Sequence, residues 1–562
     1  MFKNPNIRYH KLSSKSNDND QESSHRCKHI LLFIITLFLL IVGLYIANSL
    51  AYARFASTST GPIAAPDVTK CGQPDLPPGT APINCCPPIP AKIIDFELPP
   101  PSTTMRVRRA AHLVDDAYIA KFKKAVELMR ALPEDDPRSF KQQANVHCAY
   151  CAGAYNQAGF TNLKLQIHRS WLFFPFHRYY IYFFERILGK LINDTTFALQ
   201  FWNYDSPGGM TIPSMFIDTN SSLYDSLRDS NHQPPTIVDL NYAFSDSDNT
   251  TTPEEQMIIN LKIVYRQMVS SAKTPQLFFG RPYRRGDQEF PGVGSIELVP
   301  HGMIHLWTGS ENTPYGENMG AFYSTARDPI FFAHHSNVDR MWSIWKTLGG
   351  PRRTDLTDPD FLDASFVFYD ENAEMVRVKV RDCLDEKKLG YVYQDVEIPW
   401  LNTRPTPKVS PSLLKKFHRT NTANPRQVFP AILDRVLKVI VTRPKKTRSR
   451  KEKDELEEIL VIEGIELERD HGHVKFDVYI NADEDDLAVI SPENAEFAGS
   501  FVSLWHKPIK GKRTKTQLLT LSICDILEDL DADEDDYVLV TLVPRNAGDA
   551  IKIHNVKIEL DG

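Results

Sequence analysis

Asp328-Pro329-Ile330-Phe331-Phe332-Ala333-His334-His335-Ser336-Asn337-Val338-Asp339 is the stretch on which the reading of this chain turns. Its leading Asp-Pro predicts a capped helix with proline in the first turn. Adjacent helical residues point about 100° apart, so spacing alone does not choose between His334 and His335 as the inward imidazole. Asp339 lies four residues after His335, on the same helical face, placed to orient that ring from behind. Upstream, Pro300-His301-Gly302-Met303-Ile304-His305 sets two imidazoles on one face of a short helix at i, i+4. Further upstream come His147 in His147-Cys148-Ala149-Tyr150-Cys151, then His168, then His177 in Pro175-Phe176-His177-Arg178-Tyr179-Tyr180. Pro175 predicts a helix start carrying His177 on its first turn, with His168 in the preceding loop.

A single histidine among aromatic residues reads as a core residue, and His112 and His232 are taken so. Six histidines in two triplets read as two metal sites. All-imidazole donors suit copper, zinc, iron or nickel. No carboxylate joins either triplet, which argues against two-histidine, one-carboxylate iron and against hydrolytic zinc sites. A pair of coppers fits best, and with copper the chemistry is oxidation by dioxygen.

The rest of the chain frames that core. Its 562 residues, 42% hydrophobic and 24% charged, exclude a disordered or purely linking protein. A net charge of -6 lacks the basic bias of a nucleic-acid binder, so the expected partner is a small molecule. Residues 30–53 carry no charge and are long enough to cross a bilayer. Lys3, Arg8, Lys11, Lys15, Arg26 and Lys28 precede them and only Arg54 follows closely, which predicts a cytosolic tail (1–29), a signal anchor (30–53) and a lumenal body. Ala51-Tyr52-Ala53 leaves a cleaved signal as the alternative. Asn193, Asn220 and Asn249 are sequons compatible with a lumenal location.

Proline clusters make 54–104 an extended strap holding Cys71, Cys85 and Cys86, with Cys148 the anchor on the globular body. Three- and four-residue periodicity, and the capping box Thr252-Pro253-Glu254-Glu255, make 105–403 mainly α. After a linker (404–430) the period becomes two, predicting an all-β sandwich over 431–562 with a bulge at His554-Asn555. Within it Arg443 to Lys453 reads as a solvated basic loop or a protease-accessible site.

These residues closely resemble the plant polyphenol oxidases, the type-3 copper catechol oxidases and tyrosinases. Pro399-Trp400-Leu401, Tyr391-Val392-Tyr393 and Lys475-Phe476-Asp477-Val478 extend the likeness to the C-terminus. The resemblance implies a four-helix-bundle dicopper core followed by a β-sandwich shield. His147, His168 and His177 would hold the first copper and His301, His305 and His335 the second, leaving His334 uncoordinated. It further implies a thioether from Cys151 to His168, disulfides Cys71–Cys86 and Cys85–Cys148, Phe322 as a gate above the second copper, and Glu297 as an acid holding a water near the substrate. The implied reaction oxidises o-diphenols to o-quinones and reduces dioxygen to water, in a latent precursor opened by a protease. Gly302 replaces the asparagine that the family associates with phenol hydroxylation, which weakens a monophenol-hydroxylating tyrosinase as the alternative. A hemocyanin-type dioxygen carrier is the non-enzymatic one. Most relatives begin with a plastid transit peptide. The anchor here predicts the secretory pathway and vacuole instead, with the thylakoid lumen as the alternative.

Overall fold

The computed structural model describes residues 61–561 apart from 102–103, 245–250, 409–422, 468–471, 483–486, 488–489 and 506–515. The tail, the expected anchor, most of the linker and Asn249 therefore lie outside the described residues. Among the described residues no helix is long and apolar enough to cross a membrane.

Helices build the first part of the chain, and those that frame the site follow in this order. In α1 (Asp116–Ala131) the Asp115 carboxylate caps Tyr118 N at 2.8 Å, and Phe122, Ala125, Val126 and Met129 turn inward at helical spacing. Ser139 caps α2 (Phe140–Cys151). α3 (Phe173–Leu191) is buried on nearly every face, its inward charges Arg178 and Glu185 being paired with Asp339 and Arg108. It starts two residues before Pro175, so that proline sits inside the first turn. α4 (Pro253–Tyr265) opens on the reciprocal Thr252/Glu255 capping box. α5 (Met303–Thr308) continues from a wide turn, Glu297–Gly302. α6 (Ile330–Trp345) is headed by Asp328, whose carboxylate accepts from Ile330 N at 2.9 Å. α3 lies on α6, with Phe184 and Phe332 stacked face to face.

Short strands edge this core. β1 (Ile93–Asp95), β2 (Arg106–Arg108), β3 (Ser365–Tyr369), β4 (Met375–Lys379) and β5 (Tyr391–Tyr393) form a three-stranded sheet, β1-β4-β3, and a parallel pair, β2-β5. The proline-rich strap is pinned by the disulfides Cys71–Cys86 and Cys85–Cys148, the second on α2 one residue from His147. Gly72 N and Asp75 N also donate to Ala154 O and Ala152 O, just past the end of α2. The remaining cysteines among the described residues, Cys151, Cys383 and Cys524, are buried thiols.

The C-terminal part is mainly β, with short helices at Arg450–Glu455 and Cys524–Asp529: β6 (Ala431–Ile432), β7 (Leu437–Thr442), β8 (Glu457–Leu467), β9 (Val474–Ile480), β10 (Phe497–Ser503), β11 (Gln517–Ser522), β12 (Tyr537–Asn546), β13 (Ile551–Ile553) and β14 (Asn555–Asp561). One sheet runs β10-β9-β12-β7; the other runs β11-β8-β13-β6, with β14 also on β8. The expected break falls at His554, between β13 and β14. Opposite it Gly464 holds φ +65, and a Cβ there would meet His554 Cβ at 2.6 Å.

Two expectations need correction. The segment 443–453 is not a simple solvated loop: Arg443 and Arg448 are buried, Arg443 forks onto Glu458, and Ser449 caps a helix, Arg450–Glu455. The guanidiniums are drawn in by a buried carboxylate that sequence spacing does not reveal. His112 is exposed and not a core residue, whereas His232 is buried and stacks on Trp307 at 4.5 Å.

Candidate metal centre

Three backbone contexts bring the first triplet together: His147 from α2, His168 from the loop after it, and His177 from the first turns of α3. Their ring centroids lie 5.3, 5.7 and 5.1 Å apart in pairs. Their donor atoms and Cys151 Sγ all fall within 4.8 Å of one another. His301 from the wide turn, His305 from α5, and His334 and His335 from α6 form a second group of the same tightness. The i, i+4 spacing of His301 and His305 puts their Nε2 atoms 3.1 Å apart. Neither group includes a carboxylate.

The imidazoles are held for metal binding by what lies behind them. Nδ1 of His147 donates to Phe322 O (2.9 Å), of His177 to Phe173 O (2.8 Å), of His301 to Glu297 O (2.7 Å) and of His305 to Met319 O (2.9 Å). A carbonyl only accepts, so each of these Nδ1 atoms carries the proton and each Nε2 lone pair faces inward. Nε2 of His147 and His177, and both ring nitrogens of His168, His334 and His335, are buried without a hydrogen-bond partner. Buried polar atoms are normally paired. An ion with a preference for imidazole accounts for so many orphaned nitrogens in one place, and the donor set fits copper. Burial pushes His147 down to about 4 and the other six imidazoles well below their ordinary value, leaving the neutral, metal-binding form.

His335 lies between the two groups, stacked on His177 at 4.2 Å. His334 packs against His301, His305 and Tyr204.

Two expected roles shift. Asp339 does not orient His335: its carboxylate is consumed by Arg178 Nε (2.5 Å), Tyr391 OH (2.6 Å), Tyr393 OH (2.5 Å) and Arg108 Nη1 (3.3 Å). Phe322 does not cover the second group. Its ring lies parallel to His147 at 6.1 Å and edge-on to His168 at 4.8 Å, over the first.

Glu297 is buried. Its Oε1 accepts from Arg169 N at 2.5 Å, while Oε2 has no partner. Burial pushes its carboxyl up to about 8, against the opposing pull of Arg169. Gly302 is helical, and a Cβ on it would reach Val502 Cγ1 at 3.4 Å. Asn193 and Asn220 are exposed.

The sequence led us to expect a β-sandwich shield but not the residues with which it stands over the centre. β10 packs against the wide turn, and Val502 and Leu504 close a cavity of about 20 Å³ whose wall includes His168, Arg169, Glu297, His301, Gly302 and Phe322. That is room for about one water and not for a phenol ring. No local pattern marks these residues, since they arrive from the far end of the chain.

The sequence matches the common central domain of tyrosinase over residues 137–348, the polyphenol oxidase middle domain over 355–406, and the chloroplastic polyphenol oxidase C-terminal domain over 429–560. A polyphenol oxidase of Malus domestica, designated chloroplastic, is 56% identical over 561 residues, 98% of this chain and 92% of that protein. The structure of a latent apple tyrosinase superposes with a TM-score of 0.78 at 58% identity, covering 84% of this chain and 100% of that one. A latent aurone synthase gives a TM-score of 0.82 at 41% identity, covering 89% and 99%.

Proposed function

The chain belongs to the plant polyphenol oxidases of the tyrosinase family, and on that premise we propose that it oxidises o-diphenols to o-quinones at a pair of copper ions, reducing dioxygen to water. The ligands in this reading are His147, His168 and His177 for one copper and His301, His305 and His335 for the other, with His334 uncoordinated. The observation that carries it is the set of buried imidazole nitrogens left without partners. Bound copper supplies the electron transfer from two catechols to one dioxygen.

The protein's own residues do the rest. Backbone carbonyls hold His147, His177, His301 and His305 in one tautomer, and Phe322 borders the first site, parallel to His147 and edge-on to His168, to guide an aromatic ring. Glu297, with a free Oε2 and a carboxyl that burial pushes up to about 8, is the group that takes or returns the phenol proton. A thioether between Cys151 and His168 would fix the one ligand on a loop. Helices α2, α3 and α6 with the α5 segment make a four-helix bundle in this reading. Residues 105–403 are then the catalytic domain, 404–430 the linker and 431–562 a β-sandwich shield that keeps the enzyme latent.

The chloroplast designation of the relative supports the plastid alternative for location, while the expected anchor, 30–53, lies outside the described residues. Fusing residues 1–104 to a reporter tests this; plastid import is expected, and entry into the secretory pathway would reverse it. The catalytic reading is tested by oxygen uptake with 4-methylcatechol on copper-loaded protein cut within 409–422. Reversible oxygen binding without turnover would instead identify a carrier. Hydroxylation of tyramine without a lag would identify a tyrosinase.

A further inference from the structure

Arg169 directly follows the loop ligand His168 and holds φ +60, a left-handed conformation uncommon for arginine. Its side chain is 5% exposed. Nη2 donates to Ser503 Oγ at 2.8 Å, and Nη1 is buried with no hydrogen-bond partner. The guanidinium lies 5.2 Å from the Phe290 ring and 5.7 Å from that of Phe501.

Other buried arginines among the described residues meet a carboxylate or are satisfied by carbonyls. Arg108 pairs with Glu185, Arg178 with Asp339, Arg228 with Asp328, Arg340 with Asp205 and Arg443 with Glu458. Arg266 is satisfied by two carbonyls of the β region. Arg169 makes no ion pair among the described residues: Glu297, in the same cavity, attracts the guanidinium but accepts from the backbone N of Arg169 and not from its side chain. A buried, half-paired cation is costly. Its bonding is completed neither by the catalytic body nor by the shield.

We propose that Arg169 sets substrate specificity: once β10 withdraws, its guanidinium binds the carboxylate of a phenolic acid whose catechol ring faces the histidines. This rests on the catechol-oxidase reading above. Withdrawal removes Ser503 and Phe501 and frees Nη2 beside the unpartnered Nη1, making a planar two-donor fork of the kind that matches a carboxylate. Phe290, which belongs to the catalytic body, stays to orient the guanidinium plane. A catechol bearing an ammonium group meets repulsion at the same point.

The test uses the full chain, copper-loaded and cut within 409–422. It compares kcat/KM for 3-(3,4-dihydroxyphenyl)propionic acid with that for its methylamide, and for dopamine with that for 4-methylcatechol. In the unmodified protein the acid is expected to exceed the amide by about tenfold or more, in KM and not in kcat, with the advantage shrinking as salt rises. Arg169→Gln is expected to erase that ratio and Arg169→Lys to keep part of it. An acid-to-amide ratio near one in the unmodified protein overturns the proposal even if the variants fail to fold. So does a ratio that survives in Arg169→Gln with full copper content. Failure to oxidise 4-methylcatechol at all would instead sink the catechol-oxidase reading.

Discussion

The Asp339 carboxylate accepts the Nε of Arg178 at 2.5 Å, between two helices whose neighbouring residues are His335 and His177. Arg178 follows His177 on α3, and Asp339 is one turn beyond His335 on α6. The pair therefore ties the two helices together next to His177 and one turn from His335, whose imidazoles stack at 4.2 Å. Arg108, Tyr391 and Tyr393 close around the same carboxylate.

Asp339→Asn deprives buried Arg178 of its close countercharge while Arg108 keeps Glu185, and breaking a buried pair from one side costs about 3–5 kcal/mol. A lower unfolding temperature and weaker copper retention during dialysis against a chelator are expected. Unchanged stability would show that the tyrosines carry the network.

The choice of ligand on α6 is settled by metal content. His335→Ala should lose roughly half the bound copper, while His334→Ala should keep it, because a mononuclear site remains when one ligand set is broken. Elemental analysis of the two purified variants checks this. The opposite pattern would move the ligand to His334.

Val502 and Leu504 plug the centre, so truncating both to alanine should loosen the shield. If roughly 2 kcal/mol of apolar contact is lost, the open population rises about thirtyfold. Oxygen uptake by the uncut double variant should climb towards that of the cut enzyme. Persisting latency would place the block elsewhere on the interface.

Gly302→Asn should act twice. In the uncut chain its Cβ starts 3.4 Å from Val502 Cγ1, so the longer side chain crowds β10 and raises basal catechol oxidation. In the cut chain the amide can hold a water beside Glu297, and the ratio of tyramine to catechol turnover should increase. An unchanged ratio would remove position 302 from the determinants of hydroxylation.

Acid should weaken the β region through Asp477. Burial pushes this carboxyl up, but Lys475 and Arg545 outweigh it and hold it below its usual value. A depressed carboxylate stabilises the fold above its unfolded value near 3.8 and loses that contribution as pH falls further. Unfolding of the full chain should therefore steepen below about pH 4. Asp477→Asn should be less stable at pH 7 with a shallower acid limb, measured by denaturant titration.

Local spacing made the helices, both imidazole groups and the change to two-residue periodicity legible. The i, i+4 pair His301/His305 and the Thr252/Glu255 capping box depend on neighbours within one turn, and both stand where expected. Phe322 and Asp339 were misplaced because their partners come from other elements: His147 and His168 for one, Arg108, Arg178, Tyr391 and Tyr393 for the other. Val502, Leu504 and Ser503 could not be connected to the centre at all. Nothing in a β-strand's own pattern states which distant surface it will cover.

The burial of every free thiol among the described residues has a chemical consequence for an enzyme of this kind. An o-quinone is an electrophile that arylates accessible thiolates. Burial pushes the thiol of Cys524 up to about 12 and that of Cys383 higher still, so neither is exposed or ionised when product leaves the cleft. The thiols of the described residues are thereby kept from arylation by the product for as long as the fold buries them.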